Sequence, residues 1–120
     1  MKEMKPLQAT PKQRYARMAK LLLRDPKITQ PKRKKGFGSS GLYTRGKLFA
    51  ALSHRNRLIL KLPEARVNEI VAQRKGTRWN PRGDGEGLKE WVTLSPSSKN
   101  SWLPLAKEAK KFVASKSRNR

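Results

Sequence analysis

The chain has no cysteine, a single histidine and few acidic residues, and these shortages exclude several classes of function. Without cysteine there are no disulfides and no thiolate metal sites, although the redox compartment stays undetermined. The longest uninterrupted apolar run, residues 48–52, is far shorter than the roughly 20 residues that a membrane-spanning helix requires. No apolar segment follows the N-terminal lysines, so we expect no secretory signal and a cytoplasmic protein.

The residues that carry most enzyme chemistry are scarce and scattered. His54, the only histidine, lies in a predicted turn beside Arg55. The acidic residues near the glycine-rich loop, such as Asp84 and Glu86, do not have the spacing of a calcium-binding loop. Because no acid–base pair or nucleophile set is assembled, we predict a non-enzymatic protein with no catalytic residues, cofactor, metal or small-molecule substrate.

Residues 36–41 match the G-x-G-x-x-G pattern of dinucleotide-binding sites. In such sites the motif follows a strand and opens a helix, whose N-terminus holds the phosphates. Here the motif follows a basic segment and opens a predicted strand. We therefore interpret its glycines as turn residues.

Lysine and arginine, by contrast, are plentiful in the chain. It contains 30 Lys and Arg residues against 8 Asp and Glu, a formal net charge of +22 on 120 residues. The excess lies mostly at the two ends, with 12 basic and 2 acidic residues in 1–36 and 7 and 1 in 94–120. Because like charge destabilises a compact state, the excess predicts a polyanionic partner, and we favour nucleic acid over a membrane surface.

Helical spacing of apolar residues, together with capping and helix-terminating residues, predicts three helices. Thr10, Pro11 and Gln13 form a capping-box start for the first, and Asp25-Pro26 ends it. Its apolar stripe consists of Tyr15, Met18, Ala19 and Leu22. The second helix begins at Pro63, buries Val67, Ile70 and Val71, and ends before Gly76. The third begins near residues 100–101 and has an apolar stripe of Trp102, Leu105, Ala106, Ala109, Phe112 and Val113.

Short alternating runs predict the strands. They cover residues 42–44, 47–52, 57–62, 77–80 and 88–94. Arg45-Gly46 is the predicted hairpin turn between the first two, and residues 81–87 form a glycine-rich loop between the last two. The order is α-β-β-β-α-β-β-α, which predicts an α+β fold with helices packed on an antiparallel sheet. We expect one domain over residues 1–120, with an ordered core of about 10–114 between basic tails, 1–9 and 115–120.

Basic residues of the first linker, the hairpin turns and the strands are the predicted phosphate contacts. They are Lys32, Arg33, Lys34, Lys35, Arg45, Lys47, Arg55, Arg57, Lys61, Arg78 and Arg82. Residues 31–35 also fit a solvated connector or a nuclear localisation signal. Among the aromatic residues, Trp102 and Phe112 are predicted core residues. Tyr43, Trp79 and Trp91 fit base stacking, but we favour core packing for them.

Five segments of the chain resemble one family. They are residues 36–42 (GFGSSGL), 46–50 (GKLFA), 60–63 (LKLP), 89–92 (KEWV) and 102–106 (WLPLA). In this order they resemble the YjbR/MmcQ-like proteins and the related N-terminal domain of TfoX, over roughly residues 14–114. The resemblance implies an α+β fold with hairpin wings, non-enzymatic DNA-binding or regulatory roles, and no catalytic residues. Family members are often less basic, so the nucleic-acid prediction rests on this chain's own lysines and arginines.

The sequence thus predicts a monomeric nucleic-acid-binding protein that contacts phosphates largely without sequence specificity. No predicted helix presents a base-reading face of Asn, Arg or Gln. Two alternatives stay open: a regulatory or adaptor domain that binds an acidic protein, and a factor associated with RNA or the ribosome. The sequence does not separate DNA from RNA, and it leaves association with the nucleoid open.

Overall fold

The computed structural model describes residues 10–30, 41–53, 55–80, 87–95 and 102–118 of the chain. The helices are α1 (Pro11–Leu22), α2 (Glu64–Ala72) and α3 (Trp102–Arg118). The strands are β1 (Ile28–Thr29), β2 (Leu42–Thr44), β3 (Lys47–Leu52), β4 (Leu58–Lys61), β5 (Thr77–Arg78) and β6 (Trp91–Leu94).

All six strands form one antiparallel sheet in the order β1-β2-β3-β4-β6-β5. The predicted α+β class is confirmed, and the order of elements differs from the prediction by one added strand, β1. This strand lies in the predicted connector and consists of two residues that pair with Thr44 and Tyr43. Such a short segment has no alternation of its own to detect, because its pairing depends on a partner strand.

The start of α1 follows the sequence prediction in detail. The Thr10 hydroxyl accepts a hydrogen bond from the Gln13 backbone N–H at 3.1 Å, and the Gln13 side chain accepts one from the Thr10 N–H at 3.0 Å. This reciprocal box satisfies two N–H groups that the helix itself leaves unpaired. Tyr15, Met18, Ala19 and Leu22 are the buried stripe, as predicted.

The three helices cover one face of the sheet. Helix α3 packs on β3 and β4, α2 packs on β5 and β6, and α1 packs against α3. Alternate residues of the central strands fill the space between, including Leu58, Leu60, Val92 and Leu94, all without exposed surface. The strand residues of opposite parity point to the other face, because side chains alternate along a strand.

A β-bulge adds a large residue to this core. Leu42 pairs with Ala50 and Tyr43 pairs with Leu48, so Phe49 has no residue opposite it on β2. Phe49 and Ala50 are both fully buried in the core cluster, although they are consecutive in the strand. A bulge permits this arrangement because it interrupts the alternation of side chains.

Several predicted boundaries were wrong. Helix α2 ends at Ala72, and Arg74 rather than Gly76 takes the left-handed conformation after it, with φ 59°. Gly76 is required by close packing instead, because a Cβ there would lie 2.6 Å from the backbone oxygen of Thr93. The strands β4, β5 and β6 are shorter than predicted, and α3 continues to Arg118.

Candidate nucleic-acid interface

Six of the eleven predicted phosphate contacts lie in the described part of the chain: Arg45, Lys47, Arg55, Arg57, Lys61 and Arg78. The others, Lys32, Arg33, Lys34, Lys35 and Arg82, lie outside the described residues, as do His54 and most of the glycine motif. The structure places the six at different ends and faces of the sheet, so they do not form a single patch.

Arg45 and Lys47 lie at the β2–β3 turn. Arg45 and Gly46 both have positive φ, 54° and 77°, as a tight two-residue hairpin of the I′ type requires. Both basic side chains are exposed, and Lys47 pairs with Thr44 across the hairpin. The turn therefore presents two cations at one end of the sheet.

Arg55 and Arg57 lie at the opposite end, in the β3–β4 turn. The Ser53 hydroxyl oxygen accepts hydrogen bonds from both of their backbone N–H groups, at 3.2 and 3.1 Å. Both side chains are exposed. The six residues of β3 separate the two turns by about 20 Å, so these arginines belong to a different surface from Arg45.

Lys61 and Arg78 make contacts within the protein. Lys61 lies at the end of β4, with its Nζ 3.7 Å from Glu90 Oε1. The Arg78 guanidinium donates to the Asn68 side-chain oxygen on α2, on the helix-covered side of the sheet. The prediction of Arg78 as an open phosphate contact receives no support from this position.

Four of the described cations converge in a groove between the β1–β2 edge of the sheet and the C-terminal half of α3. This groove has a volume of about 480 Å³. It is lined by Lys27, Thr44, Arg45, Lys110, Lys111, Ala114 and Ser115. We call it the basic groove, because four of its seven lining residues carry positive charge.

Asp25 holds two sides of the basic groove together. Its Oδ1 accepts a hydrogen bond from the Lys27 backbone N–H at 2.9 Å, and its Oδ2 lies 3.1 Å from Lys110 Nζ. The Lys27 N–H first, and then Lys110, lower the pKa of the Asp25 carboxyl below its usual value. The carboxylate therefore stays ionised and fixes the position of a lysine on α3 relative to the turn before β1.

Three other described acidic side chains, Glu69, Glu90 and Glu108, pair with cations away from the groove. Arg66 on α2 binds Glu108 of α3 at 2.9 Å and Glu69 at 2.6 Å. Glu90 lies 3.0 Å from Lys116 Nζ, near the end of α3. Among the described residues, Arg45 and Lys111 form no ion pair with an acidic side chain, so their charge is available to a ligand, whereas the charge of Lys27 also acts on Asp25.

The aromatic residues divide between the two faces of the sheet. Trp102 is buried in the core, with the Arg14 guanidinium 3.9 Å from its ring centroid, and Phe112 packs at the core's edge. Tyr43, Trp79 and Trp91 are half-buried and lie outside the core cluster. The predicted core packing is therefore confirmed for Trp102 and wrong for the three strand aromatics.

The sequence prediction missed Lys27, Lys110 and Lys111. The available signals were the excess of basic residues at both ends of the chain and the polar stripe of the last helix. Neither signal indicates that a turn after α1 and the end of α3 meet, since this contact joins residues distant in sequence.

Within the described ranges, no three His, Cys, Asp or Glu residues are grouped so that they could hold a metal ion. Among the same residues, no helix combines the length and apolar character needed to cross a membrane.

Comparisons of the chain with protein-family models, with curated proteins and with solved structures gave no match.

Proposed function

We propose that this protein is a non-enzymatic nucleic-acid-binding protein and that its basic groove holds backbone phosphates. The observation that carries the proposal is the convergence of Lys27, Arg45, Lys110 and Lys111 from three separate elements on one open groove. Cationic side chains around a cleft attract and retain polyanions, because their fields add. Thr44 and Ser115 add hydroxyl groups to the same lining, and hydroxyl donors are common partners of phosphate oxygens.

The distribution of acidic residues supports the same proposal. Asp25 is the one described acidic residue beside the groove, and it is engaged by Lys110 and by the Lys27 backbone. Lys47 lies next to the groove on the hairpin and extends its positive field. A chain of net charge +22 gains most from a partner of dense negative charge, and duplex DNA carries one charge per about 1.7 Å of its axis.

Contacts of this type give affinity without reading the bases. We therefore propose binding that is largely independent of sequence, by a monomer in the cytoplasm or at the nucleoid. The resemblance to the YjbR/MmcQ-like proteins and the TfoX N-terminal domain is part of this proposal. It implies an α+β fold, which the chain has, and a DNA-binding or regulatory role, which is part of the proposal.

The test compares two variants that lose the same number of charges. The groove variant carries Lys27→Gln, Arg45→Asn, Lys110→Gln and Lys111→Gln, with asparagine chosen because it tolerates the positive φ of the turn. The control variant carries Arg55→Gln, Arg57→Gln, Lys75→Gln and Lys89→Gln, four exposed positions away from the groove. Fluorescence anisotropy measures binding to duplex DNA, single-stranded DNA and structured RNA, with polyglutamate as competitor.

We expect the groove variant to bind duplex DNA at least about tenfold more weakly than the control variant at the same salt concentration. Urea unfolding should change little in the control variant and only slightly more in the groove variant, because a partly exposed ion pair such as Lys110–Asp25 contributes little to stability. Equal losses in the two variants would mean that net charge, rather than the groove, determines binding. Displacement by polyglutamate as efficient as by DNA would favour an acidic protein partner instead.

A further inference from the structure

Two tryptophans lie side by side on the sheet face that the helices do not cover. Trp79 follows β5 and donates its backbone N–H to the Trp91 carbonyl at 3.0 Å, directly across from β6. The neighbouring pair, Thr77 and Thr93, has its hydroxyl oxygens 3.0 Å apart on the same face. The two indole rings meet edge to face, with centroids 5.4 Å apart and planes at 66°.

Lys61 continues this row onto β4. It pairs with Trp91 in the strand register, and its Nζ lies 5.3 Å from the Trp91 ring centroid. Glu90 also contacts this lysine, at 3.7 Å, and is shared with Lys116. The row of Trp79, Trp91 and Lys61 thus combines aromatic surface with positive charge, and we call it the tryptophan row.

The tryptophan row lies at one end of this face. In the middle of the face, Ala51 and Ile59 are fully buried, whereas both tryptophans keep part of their surface exposed. Leu88 is next to the row, 40% exposed, and donates its N–H to the Trp79 carbonyl at 2.9 Å. Neighbouring apolar side chains with accessible surface beside a cation suit a ligand that has both rings and negative charge.

The row lies at the same end of the sheet as the β2–β3 turn. Leu60 pairs with Ala50, so the strand order places Lys61 beside the N-terminal half of β3, towards Lys47. Three strand spacings of about 4.8 Å separate β2 from β6. The groove lies on the helix-covered side and the row lies on the opposite face, so a single strand that contacts both has to pass around this end of the sheet, beside the β2–β3 turn. Its phosphates would then lie near the groove and its bases at the row.

We propose that the tryptophan row stacks on bases of a single-stranded nucleic acid whose phosphates the basic groove holds. This inference rests on the proposed function. Aromatic rings stack on any base, because every base has a π face, and a nearby cation adds attraction to the phosphates. A duplex hides its base faces within the helix, so it gains only the phosphate contacts. The protein therefore binds single strands with an added contribution that duplexes lack.

The direct test uses the unaltered protein. Its indole N–H signals are followed by NMR while a thymidine or a uridine oligomer is added, and while a duplex of the same length is added. We expect the signals of Trp79 and Trp91 to shift with both single strands and not with the duplex. The buried Trp102 serves as the internal control and should stay unshifted.

Variants at Trp91 extend this test. Trp91→Leu should weaken binding of the single-stranded oligomers about tenfold and change duplex binding less than about twofold, whereas Trp91→Phe should retain most of the affinity. Circular dichroism checks that each variant folds. If Trp91→Leu does not fold, the NMR experiment on the unaltered protein still tests the proposal. If the protein binds the duplex but the signals of Trp79 and Trp91 do not shift when either single-stranded oligomer is added, this inference alone is overturned. Absence of binding to every nucleic acid would overturn the proposed function as well.

Discussion

Asp25 shows how one carboxylate can organise a positively charged surface. It is the only described acidic residue beside the basic groove, and it contacts the Lys27 backbone and the Lys110 ammonium. Its pKa is lowered from 3.8 by these two partners, the Lys27 N–H first. Because the folded pKa lies below the unfolded one, the stability that this group adds is present above pH 3.8 and is lost as the pH falls through the lower folded value.

Replacing the lysine partner should reverse part of this shift. We predict that Lys110→Gln raises the pKa of Asp25 towards its usual value, because an ammonium next to the carboxylate is removed. Lys111→Gln is the matched control, since Lys111 makes no contact with Asp25, and it should leave this pKa nearly unchanged. NMR titration of the Asp25 carboxyl carbon measures this pKa in both variants. An equal change in the two variants would show that general charge, and not the ion pair, sets this pKa.

Strand β3 and helix α3 pack against each other in the core. The bulge in β3 allows Phe49 and Ala50 to point to the same side, and α3 covers them together with β4. Phe49 is fully buried, whereas Phe112 of α3 lies at the edge of the core, with Lys116 Nζ 5.2 Å from its ring centroid. The same residue type thus occupies two positions of different burial.

This difference predicts unequal costs for the same substitution. Phe49→Ala should lower the free energy of unfolding by about 3–5 kcal/mol, as large-to-small changes in a core do. Phe112→Ala should cost clearly less, because less buried surface is lost. The sequence predicted Phe112 as a core residue, since its helical spacing placed it on the apolar stripe. Urea denaturation of both variants decides, and a cost for Phe112→Ala equal to that of Phe49→Ala would contradict the position at the core's edge.

Local signals in the sequence were enough to predict the elements that depend on them. The capping box at Thr10 and the Arg45-Gly46 turn were predicted correctly, because each is determined by a few neighbouring residues. Strand β1 and the shortness of β5 were not predicted, because a two-residue strand exists only through its partner. Gly76 was assigned to the end of a helix, although its actual constraint is the Thr93 backbone across a strand pair.

The sequence predicted that the candidate site would consist of basic residues, but it did not predict where in the fold they would converge. Arg45 and Lys47 were predicted and lie at or beside the basic groove, but Arg55 and Arg57 lie at the far end of the sheet. Lys27 and Lys110 line the same groove because the turn after α1 lies against α3, an arrangement that no local pattern reveals. Strand register also determines which face of the sheet Trp79 and Trp91 occupy. It places both on the face away from the core, so the predicted core packing was wrong for them.

For the molecule as a whole, the central claim is that charge at the basic groove holds phosphates. Most of the 30 lysines and arginines do not line the groove, so total charge and local convergence both attract a polyanion. The two contributions respond differently when the groove alone is altered. A phosphate contact releases bound counterions, and it changes the slope of affinity against salt by about 0.9 for each contact with duplex DNA.

The most direct measurement is therefore the affinity of the parent protein and the groove variant for duplex DNA over a series of salt concentrations. We predict that the parent shows a log–log slope of several units with a negative sign. In the groove variant the slope should be smaller by up to roughly 3.6 units, about 0.9 for each of the four altered cations, while the control variant changes less. Identical slopes in the parent and the groove variant, or no binding by the parent at low salt, would contradict the claim.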